Sequence, residues 1–136
     1  MRMKEADRPV LIDTSVWIDY FRKKAGVYHK VNELMDSGRA CCLGLIIAEL
    51  IQGAASEREI AVIKDLAHIL PLLPEAPNTW EEAGILSFRL RKAGRKVGLI
   101  DCYIAIMGKK NKVAIWTFDK DFIQIKELLD IVLLKS

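Results

Sequence analysis

Two histidines and three cysteines are all that the 136 residues contain, and that scarcity removes several kinds of chemistry at once. Cys41, Cys42 and Cys102 are odd in number and lack CxxC spacing, and no histidine is placed to complete a zinc site with them. They are expected to be small buried hydrophobes of a reduced compartment. A reactive thiolate at Cys102 is disfavoured by the neighbouring carboxylate of Asp101. No glycine-rich loop of P-loop or dinucleotide type occurs, which weighs against a nucleotide-binding enzyme. Long apolar runs are missing too. The stretch LGLIIAELIQGAA from Leu43 contains Glu49 and falls short of the roughly 18 to 20 residues of a membrane span. The opening MRMKEADRP is charged and leads into only a few apolar residues, so neither signal peptide nor membrane anchor is expected, and the expected location is cytoplasmic.

What is present describes an ordinary globular chain. Hydrophobic residues make up 51% and charged residues 29%, so disorder is a poor reading. The length suits a single domain over residues 1–136, and neither a repeat nor a dividing linker is found. A net charge of +3 is a mild pointer to an anionic partner. If four acids converge on metal ions, the remaining surface is more cationic than that total, which would suit nucleic acid.

Short β-prone runs occur at Val10–Ile12, Ala40–Leu43, Ile69–Leu73, Val113–Trp116 and Ile131–Leu134. Helical periodicity fills the intervals at Ser15–Arg22, Val27–Asp36, Gly44–Ala54, Glu57–His68 and Asp101–Lys110, with a last helix at Asp121–Leu129. A longer helix is expected from Asn78 and Thr79, where Glu81 and Glu82 fit a capping box, to Gly94. This alternation predicts a small, mostly parallel sheet covered by helices on both faces, a three-layer α/β/α domain.

Ligands of such sheets bind beyond the carboxyl ends of the strands, and acids stand there. Asp13 follows the first strand, and Asp119 follows Val113–Thr117 within TFDKDF. Glu49 lies on an apolar stripe with Ile46, Leu50 and Gly53, and no basic residue between Ala40 and Glu57 compensates it. Asp101 opens a helix, CYIAIM, with almost no polar face. Each acid has a plainer explanation. Asp13 and Asp101 would serve as helix N-caps, Asp119 as a turn residue, and Glu49 could reach solvent along its own stem. Asp19, Asp36 and Asp65 lie on polar faces and read as solvated. Gathered at one end of a sheet, four carboxylates would repel one another by roughly 3 kcal/mol per close pair. A divalent cation relieves this, and all-oxygen ligands favour Mg²⁺ or Mn²⁺ over zinc.

The ordered set LIDTSVWIDYF, IIAELIQGA, LIDCYIA and TFDKDF resembles the PIN-domain ribonucleases, and most closely the VapC-type toxins of toxin-antitoxin pairs. The resemblance covers essentially the whole chain. It places the family's acidic quartet on Asp13, Glu49, Asp101 and Asp119, with Asp121 as a candidate fifth acid and Ser15 and Thr117 as supporting hydroxyls. It implies a metal-dependent endoribonuclease that cuts structured RNA, such as a tRNA, and leaves 5′-phosphate and 3′-hydroxyl ends. It also implies a homodimer silenced by a small antitoxin that covers the acids. His29 and His68 lie on helices away from the acids and read as structural.

Phosphate contacts are sought among Arg22, Lys23 and Lys24 and in RLRKAGRK, which supplies Arg89, Arg91, Lys92, Arg95 and Lys96. A solvated surface is the plainer meaning of both runs. Trp17 and Tyr20 are expected in the core or an interface rather than on bases. The rivals are a catalytically idle PIN-like RNA-binding or assembly module and a housekeeping RNA-processing nuclease. A haloacid-dehalogenase-type phosphatase would want an acid where Ser15 stands, and a receiver domain would want acids on the first strand.

Overall fold

The computed structural model describes residues 4–135. Strand β1 (Val10–Ile12) leads into helices α1 (Thr14–Phe21) and α2 (Val27–Asp36), then β2 (Ala40–Cys41). Four helices follow: α3 (Gly44–Gln52), α4 (Glu57–Ile69), α5 (Thr79–Lys92) and α6 (Leu99–Lys110). The chain closes with β3 (Ala114–Trp116), α7 (Asp121–Lys126) and β4 (Val132–Leu133). All four strands are parallel, in the order β2-β1-β3-β4. Val10 pairs with Ala40 on one side and Ala114 on the other, and Ile12 pairs with Trp116.

The central strands β1 and β3 are buried on both faces, and their residues read as unbroken apolar triplets, VLI and AIW, whereas the edge strand β4 is half-buried. Helices α1 to α4 pack with one another, as do α5 to α7, giving the expected three-layer α/β/α arrangement. α6 lies deepest, with every residue from Cys102 to Gly108 buried. Trp17, Trp116 and Phe122 are the largest fully buried side chains. Tyr20 stacks on Tyr28 at 5.2 Å and donates to Asn32. Among the described residues, no helix is long and apolar enough to cross a membrane.

Three expectations need correction. The run Ile69–Leu73 contributes a single bridge, Cys42 to Leu72, rather than a strand. Helix α4 continues through Ile69, and Pro71, which accepts from Cys42 through its carbonyl, has no N–H to extend a ladder. The capping box at α5 is not formed. Asn78 adopts a left-handed φ of 66° without a side-chain cap, Thr79 donates back to Ala76 at 2.6 Å, and Glu82 is drawn to Lys110. Helix α7 stops at Lys126. At the other end of α5 the expected stop holds: Gly94 at φ 81° donates to Arg91, and Arg95 donates to Leu90, which closes a Schellman motif.

Burial pushes the thiols of Cys41 and Cys42 up to about 12, in keeping with inert core residues. Helix α6 lies close against the sheet at Gly108, where an added Cβ would lie 2.7 Å from Cδ1 and 2.9 Å from Cγ1 of Ile115, itself fully buried. Gly108→Ala is expected to destabilise the fold by about 1–3 kcal/mol, because the Ile115 side chain it would meet is fully buried and has little room to move aside in a close-packed core. Urea denaturation at constant m-value measures it.

Candidate functional site

Because β1 and β3 are adjacent and parallel, the residues leaving them emerge side by side at one edge of the sheet. The chain turns from β1 toward β2 on one side and re-enters at β3 on the other, so this edge is the topological switch point. Asp13 leaves β1 there, with its N–H donating to the Trp116 carbonyl at 2.9 Å. Its side chain is 6% exposed, and with Thr79 it is one of two buried polar residues described.

The carboxylate of Asp13 does not cap α1, although Asp13 occupies the N-cap position. Its Oδ2 instead accepts from Ser15 Oγ at 3.0 Å and Thr117 Oγ1 at 2.8 Å. Each hydroxyl spends its single proton on Asp13, which leaves its lone pairs to receive main-chain donors. Ser15 Oγ accepts from the N–H of Phe118 at 3.0 Å, and Thr117 Oγ1 from that of Asp119 at 3.0 Å. The loop after β3 is thereby tied to the start of α1. Asp119 Oδ1 then accepts from the N–H of Asp121 at 2.9 Å, an Asx turn that starts α7. Gln124, one turn along α7, donates to Asp121 at 3.3 Å.

Asp101 reaches the same place from α6. It is not the N-cap, a position held by Gly98, but stands in the first turn, where the helix dipole favours negative charge. Asp101, Asp119 and Asp121 each present a carboxylate oxygen within 4.8 Å of the others. Burial first, and then the charge of Asp119 and its hydrogen bond, push Asp101 up to about 7, with Asp13 and Asp121 adding to the effect. Among the described residues, the ion pairs are Arg8–Glu5, Lys24–Asp19, Arg95–Glu127 and Lys110–Glu82, so no basic side chain neutralises the cluster. The Lys24 pair also shows that Asp19 is not simply solvated.

Glu49 stands apart from that trio. It accepts from Thr14 Oγ1 at 2.9 Å and lines a neighbouring cleft of 330 Å³ with Thr14, Ile18 and Arg22. The structure thus joins Asp101, Asp119 and Asp121, sets Asp13 beside them, and leaves Glu49 to one side. Sequence reasoning missed Thr14 as the partner of Glu49, and the N–H of Phe118. It missed Gln124 as well, although its spacing of three from Asp121 on a helix was a usable signal.

The basic runs divide. Arg22, Lys23 and Lys24 are exposed at the end of α1. Arg91, Arg95 and Lys96 line a 390 Å³ cleft that ends on Gly98, the residue that opens α6. Lys92 lies over the ring of Phe88 at 5.7 Å, and Arg91 over it at 5.5 Å. His29 and His68 are exposed on α2 and α4. Burial holds the Cys102 thiol up at about 11 against a lowering hydrogen bond from Ser87, with Asp101 raising it further, so it is no nucleophile.

An acid cluster of this kind, at the switch point of a small parallel sheet, defines a class, and comparison bears this out: the PIN domain family model matches residues 10–128, and the chain belongs to that family. Its relatives narrow the group. Ribonuclease VapC32 of Mycobacterium tuberculosis is 33% identical over 115 residues, which span 82% of this chain and 85% of the relative. Among solved structures, the DNA-bound VapBC of Salmonella typhimurium superposes with a TM-score of 0.74 at 21% identity, covering 93% of this chain and 97% of that one. VapBC2 of Rickettsia felis, bound to a promoter DNA fragment, also gives 0.74, at 14% identity over 93% and 98%. Both superpositions bear on the fold alone.

The raised Asp101 has a consequence for stability. Its folded-state value near 7 lies above the ordinary carboxylate value, so the folded protein binds the proton more tightly than the unfolded chain. The associated stabilisation is complete below about pH 4 and is lost as pH rises through 7. In EDTA, Asp101→Asn is therefore expected to melt higher than the parent at pH 8, by about 1 kcal/mol after allowance for solvent screening. The gain should vanish near pH 4, and paired thermal melts at the two pH values measure it.

Proposed function

We propose that this chain is a metal-dependent endoribonuclease, the toxin of a type II toxin-antitoxin pair, that hydrolyses phosphodiesters of structured RNA such as tRNA in the cytoplasm. The observation that carries the reading is the uncompensated meeting of Asp101, Asp119 and Asp121 within 4.8 Å. Membership of the PIN family and likeness to VapC ribonucleases support it.

The donor set is all oxygen, which suits Mg²⁺ or Mn²⁺. Asp101, Asp119 and Asp121 would hold the ion, with Asp13 and Glu49 completing the acidic surround. When bound, a divalent cation would neutralise charge on phosphoryl oxygens and lower the pKa of a water, easing its use as a nucleophile. The protein's share is placement. Ser15 and Thr117 fix the carboxylate of Asp13, and Thr117 also fixes the main chain of Asp119, so the acids need little reorganisation during the reaction. Arg91, Arg95 and Lys96 in the cleft that ends on Gly98 would hold flanking phosphates, with Lys92 next to them in sequence and Arg22, Lys23 and Lys24 on the α1 side.

Water as the nucleophile and the 3′-oxygen as the leaving group, with 5′-phosphate and 3′-hydroxyl ends, are part of the proposal and rest on the likeness to VapC ribonucleases. A small antitoxin covering the acids and a two-fold homodimer complete the proposal. The toxin-antitoxin complexes among the similar solved structures support an antitoxin partner.

The test is cleavage of a total RNA pool, with end mapping, in Mg²⁺, Mn²⁺ or EDTA. Cuts are expected with either ion and none in EDTA. Asp119→Asn should lose at least on the order of 100-fold in rate at unchanged melting temperature. Thr117→Val should lose about 10–100-fold, as expected for a group that orients a ligand, while Thr117→Ser stays close to the parent. Metal-independent cutting, or full activity in Asp119→Asn, would overturn the reading.

A further inference from the structure

Phe118 is an aromatic side chain that stands largely outside the core. It is 42% exposed and, among the described residues, is not one of the hydrophobics packed against the core. A single exposed aromatic is unremarkable by itself. Its setting is not. It stands between Thr117, which fixes Asp13, and Asp119, and its N–H is held at 3.0 Å by Ser15 Oγ. One edge of its ring is braced by buried Trp116, at 6.1 Å and 83°. A phenylalanine anchored through its main chain, steadied on one side and open on the other, costs little entropy to use as a binding surface.

The surroundings identify the occupant. Leu99 and Ile100, 45% and 37% exposed, directly precede Asp101, so apolar surface flanks the acids from the α6 side as well. Arg91 and Lys96 lie just beyond, in the cleft that ends on Gly98, where Arg95 is paired with Glu127. Apolar and aromatic surface beside a phosphate-binding site, with a cationic groove leading in, is the combination that takes unpaired nucleotides. A paired base keeps its faces stacked within the helix and cannot offer one to a protein ring.

We infer that Phe118 is a base-stacking residue, receiving the unpaired nucleobase next to the phosphodiester held at the acids. The inference rests on the nuclease reading above and deepens it. It makes the immediate substrate an unstacked, single-stranded step, and it gives Phe118 a role in binding rather than in the chemistry.

The test uses fluorescein-labelled single-stranded RNA of mixed sequence, kept intact with Ca²⁺ in place of Mg²⁺, and an abasic oligomer of equal length. Anisotropy titrations of the parent, Phe118→Leu and Phe118→Tyr measure binding, and Mg²⁺-dependent cleavage of the unmodified RNA gives kcat and KM. Phe118→Leu is expected to bind the base-bearing RNA about tenfold more weakly and to raise KM with little change in kcat. Phe118→Tyr should match the parent. All three should bind the abasic strand equally, at unchanged melting temperature. If the parent cleaves RNA and Phe118→Leu binds and cleaves as it does, the stacking role is overturned and the nuclease reading stands. If the parent neither binds nor cleaves any RNA, both are overturned.

Discussion

Mutual repulsion among carboxylates is the constraint around which this molecule is organised. Three acids with oxygens within 4.8 Å of one another, and a fourth buried beside them, meet no basic partner among the described residues. Full charges at such separations repel by about 3 kcal/mol per pair in a protein-like dielectric. In the absence of a cation the cluster relaxes by holding a proton: burial first, and then the charge and hydrogen bond of Asp119, push Asp101 up to about 7. A fold that keeps such a cluster gives up stability locally, and the rest of the domain must resist its dispersal.

The resistance comes from two sources. The parallel pairing of β1 with β3 puts Asp13 and Thr117 side by side, so the acids after each strand cannot separate without breaking the sheet. The hydroxyls of Ser15 and Thr117 then act as two-way connectors, donating to Asp13 and accepting from the main chain of Phe118 and Asp119. Asp101 is delivered by the most buried helix of the domain, which packs on α5 and lies close against β3 at Gly108. Sheet, loop and helix converge on one small volume, and positions in it depend on packing some distance away.

Much of this arrangement was legible in the amino-acid order. Asp13 and Asp119 stand after apolar strands, and Asp101 opens a helix with no polar face. Such positions are costly for an acid that has no task, and the structure brings all three to one edge. Other features depend on tertiary context. Asp121 could not be ranked against Asp119 until the Asx turn placed both at the cluster. Glu49 sits on an apolar stripe, as periodicity indicated, yet it is held by Thr14, the neighbour of Asp13, and lines a cleft with it rather than joining the 4.8 Å trio. Pro71 ended the expected strand after Ile69, and the capping box at Asn78 was lost to competition from Ala76 and Lys110. In each case a local preference gave way to a partner distant in sequence or to a missing N–H.

The central claim is that the cluster exists to be completed by a divalent cation. Calorimetric titration of the metal-free protein with Mn²⁺, compared with Asp101→Asn and Asp121→Asn at pH 8, tests it without reference to any substrate. The account predicts saturable binding to the parent, proton release on binding that grows as the pH is lowered toward 7, and binding much weakened in both variants without loss of melting temperature. An isotherm with no saturable site, or one unchanged by both substitutions, would contradict it.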